Sequence, residues 1–197
     1  MQENSFKFFT LNYWRSIDKK ILFCFLILFF LGLFFSFSST SSLAGERLNK
    51  DYYFFFTKHL IFTVLAISIM MIISFIRTEV LIKLVIPAFV VSFIFLAMVP
   101  IIGVEAKGAR RWLNLYFFNL QPVEILKPLF ILMTVKILTY KNFQNYHIKY
   151  FLSFILLSCV IILLIDQPDL GQSILLTSSW IATVFVSGVS LIYIGIF

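Results

Sequence analysis

From Gly103 to Lys127 the chain reads G-V-E-A-K-G-A-R-R-W-L-N-L-Y-F-F-N-L-Q-P-V-E-I-L-K, setting two arginines, two lysines and two glutamates between long apolar runs. Glu124 and Lys127 are three apart, so on a helix they share a face and can pair. Pro122 suits the first turn of that helix, where a missing N–H costs nothing. Pro128 withdraws the donor that the Glu124 carbonyl would use, and at membrane depth such an oxygen needs a neighbouring helix or cavity water. A carboxylate, an ammonium and a freed carbonyl at one helix end describe a hydrated pocket; a salt bridge that only caps the helix at the interface is the plain alternative. Asp169, beside Pro168 and two residues before Gly171, adds a third ionisable group. Ionisable side chains at membrane depth are costly unless paired, which makes such a cluster a candidate site.

Arg110 and Arg111, with Lys107, are read as a cationic rim on the same membrane face. A guanidinium grips a phosphate through two parallel hydrogen bonds, which an ammonium cannot do. Singly, these arginines and Trp112 would serve as interfacial anchors. Together they suit anionic lipid headgroups or a lipid pyrophosphate.

The elements that must position these residues are membrane spans. The chain has 197 residues, 61% of them hydrophobic and 13% charged, against about 25% charged in soluble domains; its mean hydropathy is +1.00. Runs such as I-L-F-C-F-L-I-L-F-F-L-G-L-F-F leave too little polar surface for a water-soluble core. The fold class expected is all-α, a polytopic transmembrane helical bundle. The net charge of +7 is dispersed rather than gathered in one stripe, which excludes nucleic acid as a partner. Cys24 and Cys159 lie within apolar runs, where a thiol is a small hydrophobe. His59 and His147 fall on opposite sides, so no metal-ligand set is expected. Nucleophile-elbow, Walker and dinucleotide motifs are absent from the sequence.

A bilayer core about 30 Å thick needs about 20 apolar residues per helix. Six spans are expected, near Ile21–Ser39, Leu60–Ile76, Leu84–Ile102, Val123–Leu138, Tyr150–Ile165 and Gln172 to the end, the fourth and fifth being short. The first run is too long for a signal-peptide core and is expected to be retained. Ser173, Thr177, Ser178, Thr183, Ser187 and Gly188 in the last span suit close helix contact, while Lys136 and Glu79 are read as solvated or snorkelling. Lys7, Arg15, Lys19 and Lys20, with Arg77, Lys83, Lys141 and Lys149, make the amino terminus cytoplasmic. Residues 1–20 are then a cytoplasmic tail and residues 21–197 the membrane domain, with Gly103–Gln121 and the D-Q-P-D-L-G turn together on the outer face.

Three blocks resemble the SEDS (FtsW/RodA/SpoVE) family of bacterial envelope proteins. K-G-A-R-R-W-L from Lys107 to Leu113 resembles the family's K/N-G-A-x-R-W-I, and Q-P-V-E-I-L-K from Gln121 to Lys127 resembles Q-P-S/A-E-x-x-K. Q-P-D-L-G from Gln167 to Gly171 is identical to the family pattern. Val123 stands where the family has a small residue and Tyr116 where it has Gly. Lys107 after G-V-E, and N-K-D-Y-Y-F-F-F-T-K before the second span, point to the cell-division branch.

The resemblance covers nearly the whole chain but only the first half of a fold of ten transmembrane helices. It implies a bacterial inner (cytoplasmic) membrane protein that polymerises lipid II into glycan strands during cell division. The partners implied are a class B penicillin-binding protein, other division proteins and membrane lipids. The catalytic residue is not identified in this chain, because the Asp regarded as catalytic in the family lies in a later outer loop, and this half alone is expected to be inactive. Transferred motif by motif, Lys107, Arg110, Arg111, Trp112, Gln121, Glu124, Lys127, Gln167 and Asp169 line or brace the outer cavity that binds substrate, and Pro122, Pro168 and Gly171 shape its backbone. No cofactor is evident; a divalent cation on the pyrophosphate stays open. A lipid II flippase and a non-catalytic division scaffold are the alternative functions. A through-going polar track would favour the flippase.

Overall fold

A computed structural model describes residues 17–40, 53–106, 108–115, 118–140 and 145–188. Their coordinates divide into two compact units, Met1–Arg77 and Thr78–Phe197. Six helices and one small sheet make up the described residues, and four of the helices are long and apolar enough to cross a membrane. The protein is a multi-pass membrane protein of helical-bundle class.

The first unit is a helical hairpin of α1 (Lys19–Thr40) and α2 (Phe54–Phe75). Asp18 starts α1: its Oδ1 accepts from the backbone N–H of Lys20 at 2.9 Å and of Ile21 at 3.3 Å, filling orphan donors at the positive end of the helix. At Gly32 the helices approach closely, a Cβ there falling 3.7 Å from the His59 ring. Phe37 stacks on Tyr53 and meets Phe56 edge-on. Phe23, Leu28 and Phe30 on α1 are largely exposed; such an apolar outer face suits lipid.

The second unit holds α3 (Thr78–Ile102), β1 (Val104–Ala106), β2 (Ala109–Asn114), β3 (Asn119–Leu120), α4 (Pro122–Leu138), α5 (Tyr146–Asp166) and α6 (Leu170–Val186). Its core is one cluster in which Phe89 and Leu96 of α3 meet Leu126 and Phe130 of α4, Leu157, Val160 and Leu164 of α5, and Leu176, Trp180 and Val184 of α6. Within that core the Trp180 indole N–H donates to Ser153 Oγ at 3.2 Å. The hydroxyls expected to pack α6 bond back along it. Ser173, Thr177, Ser178 and Thr183 each donate to the carbonyl four residues earlier, and Ser187 to the carbonyl three earlier, which hides their polarity within a helix facing lipid or protein.

Several helices differ in extent from the sequence expectation. α2 begins at Phe54 and α3 at Thr78, so Lys58 and His59, and Glu79 and Lys83, lie inside the first two turns of their helices. Long side chains near a helix end reach the interface, and a hydropathy window discounts those turns too early. For the same reason the fifth helix is not short. Asn145 caps it by accepting from the His147 N–H, and it runs 21 residues. α4 and α6 are the shorter pair at 17 residues each. The described part of the last helix ends at Val186, where Ser187 caps α6 and Gly188 follows at φ +96, a left-handed value that favours glycine at a helix terminus; residues 189–197 of the expected span lie outside the described residues. Cys24 and Cys159 stand on exposed helix surfaces. Lys136 is not simply solvated, for its Nζ donates to the Ile82 carbonyl at 2.9 Å and ties α4 to α3.

The sheet was not expected. Its order is β1-β2-β3, both pairings antiparallel. β1 and β2 pair as far as Ala106 and Ala109, and just before Ala109 Gly108 has φ +78, as tight hairpin turns require. At the other end of β1, Gly103 is constrained by space: a Cβ there would collide with the Val99 carbonyl oxygen.

Candidate functional site

The sheet sits at one end of the four-helix unit, where α3 ends, α4 begins and α5 turns into α6. Burial along β2 alternates, with Arg111 and Leu113 less exposed than Arg110, Trp112 and Asn114. In the pairing with β1, Val104 faces Trp112 and Glu105 faces Arg110, so the register skips Arg111. An extra residue in one strand re-aims its side chain. The Arg111 guanidinium reaches the α5–α6 turn, where it donates to the carbonyls of Gln167 and Pro168 and lies 3.7 Å from Asp169 Oδ2.

Asp169 is the buried centre of this end, only 7% exposed. One carboxylate oxygen, Oδ1, accepts from the Gln172 N–H at 3.5 Å and so caps α6. The other faces Arg111 and accepts from the Gln121 side-chain amide at 3.4 Å. Gln121 is itself the residue before α4, with Pro122 in the first turn as its sequence position suggests. Its backbone carbonyl accepts from the Glu124 N–H at 3.1 Å. One side chain thereby joins the start of α4 to the start of α6.

Gln167 performs the corresponding task for α3. Pro100 lacks the N–H that would bond the Leu96 carbonyl four residues earlier. The Gln167 side-chain amide, buried, donates to that oxygen at 3.1 Å. An unpaired carbonyl in a dry bundle would cost about 1–3 kcal/mol; here a residue 71 positions away supplies the donor.

Glu124 and Lys127 form the expected pair. Lys127 Nζ lies 2.7 Å from Glu124 Oε2, and the Lys127 side chain is 20% exposed against 51% for Glu124. The second oxygen of Glu124 accepts from the Gln172 side-chain amide at 3.0 Å. Arg110 lies outside this network: it faces Glu105 at 3.7 Å, both side chains more than half exposed, and donates to the Pro100 carbonyl at 3.3 Å. Trp112 is partly exposed beside Val104. Lys107 and Tyr116 lie outside the described residues.

The structure thus brings Arg111, Gln121, Gln167 and Asp169 into one knot. It links Glu124 and Lys127 to that knot through Gln172, and leaves Arg110 and Trp112 on the other face of the hairpin. Gln172 was missed by sequence reasoning, although its place three residues after a helix-capping Asp puts it in the first turn of α6, facing α4. Chemically, both carboxylates already hold N–H donors, so neither is a free base. Arg111 is committed to the turn and to Asp169, Lys127 is paired with Glu124, and Arg110 has the most exposed side chain of the three. Among the described residues no group of three His, Cys, Asp or Glu side chains could hold a metal.

The profile of the FTSW_RODA_SPOVE family, described as "Cell cycle protein", matches residues 18–197. The chain is 30% identical over 183 residues to the probable peptidoglycan glycosyltransferase FtsW of Caulobacter vibrioides, covering 92% of this chain and 47% of that protein. It is similar to a solved chain described under structural coordination of polymerization and crosslinking by a peptidoglycan synthase complex, with a TM-score of 0.71 and 25% identity over 88% of this chain and 48% of that one. It is also similar to the rod shape determining protein RodA of Thermus thermophilus, with a TM-score of 0.64 and 27% identity over 81% of this chain and 54% of that one. The chain spans about half the length of the curated relatives it matches. A profile matched over almost every residue, together with shared helical architecture, shows that the chain belongs to the FtsW/RodA/SpoVE family of cell cycle proteins.

Proposed function

We propose that this chain is the amino-terminal half of a peptidoglycan glycosyltransferase that polymerises lipid II into glycan strands during cell division. It works at the outer face of the bacterial cytoplasmic membrane, its amino terminus inside, with a class B penicillin-binding protein as partner. The observation that carries this reading is the charged network at one end of an apolar bundle, Arg111–Asp169–Gln172–Glu124–Lys127.

Transfer of a glycan from a polyprenyl pyrophosphate needs a base for the acceptor hydroxyl and positive charge for the departing pyrophosphate. Lys127 supplies the second from a mostly buried stem, with Arg110 at the rim. The base is assigned to the half of the protein that follows, because Asp169 and Glu124 are both engaged. Chemistry is favoured over headgroup passage by what lies below the network: among the described residues, Leu96, Leu126, Phe130, Val160, Leu164 and Leu176 pack there into one apolar cluster.

The test is lipid II polymerisation by the full-length protein with its partner in detergent. Glycan chains are the expected product, and the 197-residue chain alone should give none. Absence of polymer from the full-length complex, or polymer from this half by itself, would overturn the assignment.

A further inference from the structure

The residue that connects the two halves of the charged network is Gln172, and we propose that it is a positioning residue, fixing Glu124 and through it the ammonium of Lys127 toward a lipid pyrophosphate. The inference rests on the reading of the site given above. Glu124 has donors on both oxygens, Lys127 Nζ at 2.7 Å from Oε2 and Gln172 Nε2 at 3.0 Å from Oε1. A carboxylate held on both oxygens cannot swing about its last torsion, so Lys127, three residues along the same helix, has a fixed partner to aim from. Gln172 in turn is placed by its backbone, whose N–H donates to Asp169 Oδ1, while Asp169 is held by Arg111 and Gln121. Position is therefore handed from the buried turn to the half-exposed pair.

A purely structural tie is a poor description of this contact. α4 and α6 are already joined by Leu126, Phe130, Leu176 and Trp180 in the core, and Glu124 is 51% exposed, where water would satisfy its oxygen at little cost. A neutral amide also suits orientation rather than charge balance. Lys or Arg at this position would neutralise Glu124 and compete with Lys127, and Glu would repel it. Gln fixes the carboxylate and leaves the charge of the pair as it is. Phosphate binding depends on donors aimed at the anion, so loss of this aim should weaken binding of the substrate before it slows chemistry.

The experiment compares wild-type full-length protein, in complex with its partner, with Gln172→Leu and Gln172→Glu. Polymerisation rates over a range of lipid II concentrations should show KM raised about tenfold for Gln172→Leu, as expected for one hydrogen bond to a charged group, with kcat within about twofold. Gln172→Glu should raise it further. Titration with geranylgeranyl pyrophosphate, followed by calorimetry, should show affinity falling by the same factor while thermal unfolding in detergent stays within about 2 °C, the scale of shift a sub-kcal/mol change would produce. A lowered kcat with unchanged KM and a lower melting point would mean a structural tie and overturn the proposal, as would pyrophosphate affinity unchanged in both variants. Should the wild-type complex make no glycan, the assigned function fails, yet the calorimetric comparison still decides the role of Gln172.

Discussion

Gln167 donates its side-chain amide to the Leu96 carbonyl at 3.1 Å, the acceptor that Pro100 leaves without a helical N–H. Two residues far apart in sequence are complementary: the proline opens a polar site on α3 and the glutamine at the α5–α6 turn fills it. Gln167→Leu should therefore destabilise the bundle by about 1–3 kcal/mol. Pro100→Ala, which restores the helical donor, should recover part of that loss in the double variant. Thermal unfolding in detergent micelles checks both, and a double variant no more stable than Gln167→Leu would separate the two residues.

Such pairings explain what the sequence could and could not convey. The six helices among the described residues follow from apolar runs, because the bilayer demands internally bonded backbone of a given length. Their starts do not, since Lys58, Glu79, Lys83, His147 and Lys149 extend helices past the apolar limit. Glu124 and Lys127 were readable as a pair because three residues on a helix fix their geometry. The commitment of Arg111 to the Gln167–Asp169 turn was not, for it depends on the register skip in β2 and on a hairpin too short to show a strand period. Gln172 reads in sequence as one more polar residue at a helix start; only the crossing of α4 and α6 gives it a partner.

Asp169 should separate cap from charge. Asp169→Ala removes the acceptor for Gln121 and Gln172 and leaves the Arg111 guanidinium without its carboxylate, at about 1–3 kcal/mol. Arg111 is partly solvated, its side chain 38% exposed, so the ion pair itself contributes the smaller part. Asp169→Asn keeps an oxygen for the cap and should lose less than half as much stability. Glycan synthesis should vanish in Asp169→Ala. Equal melting points for the two variants would show that the cap contributes nothing.

Arg110 and Arg111 are neighbours with different predicted phenotypes. Arg111→Ala should lower the melting temperature, because it removes donors from two turn carbonyls and the partner of Asp169. Arg110→Ala should leave the melting point within experimental error and instead raise KM for lipid II a few-fold, since its contacts are an exposed pair and one long hydrogen bond. Paired measurements of unfolding and polymerisation distinguish them; the reverse pattern would exchange their roles.

Lys127→Ala is the most direct test of the charged pocket. Its ammonium stands on a side chain only 20% exposed, so the surroundings amplify whatever charge it meets. Removing the ammonium altogether forfeits its contact with the bound pyrophosphate as well as a preorganised donor to the developing anion, so kcat/KM for lipid II polymerisation should fall by about 10²–10³-fold. Glu124 would then keep Gln172 as a partner and remain half solvated, so stability should change little, by less than about 1 kcal/mol. Lys127→Arg should retain charge but recover only part of the activity, because the planar guanidinium is longer and would pull Glu124 away from Gln172. Full activity in Lys127→Ala would show that the ammonium serves only to neutralise Glu124 and does not meet the pyrophosphate.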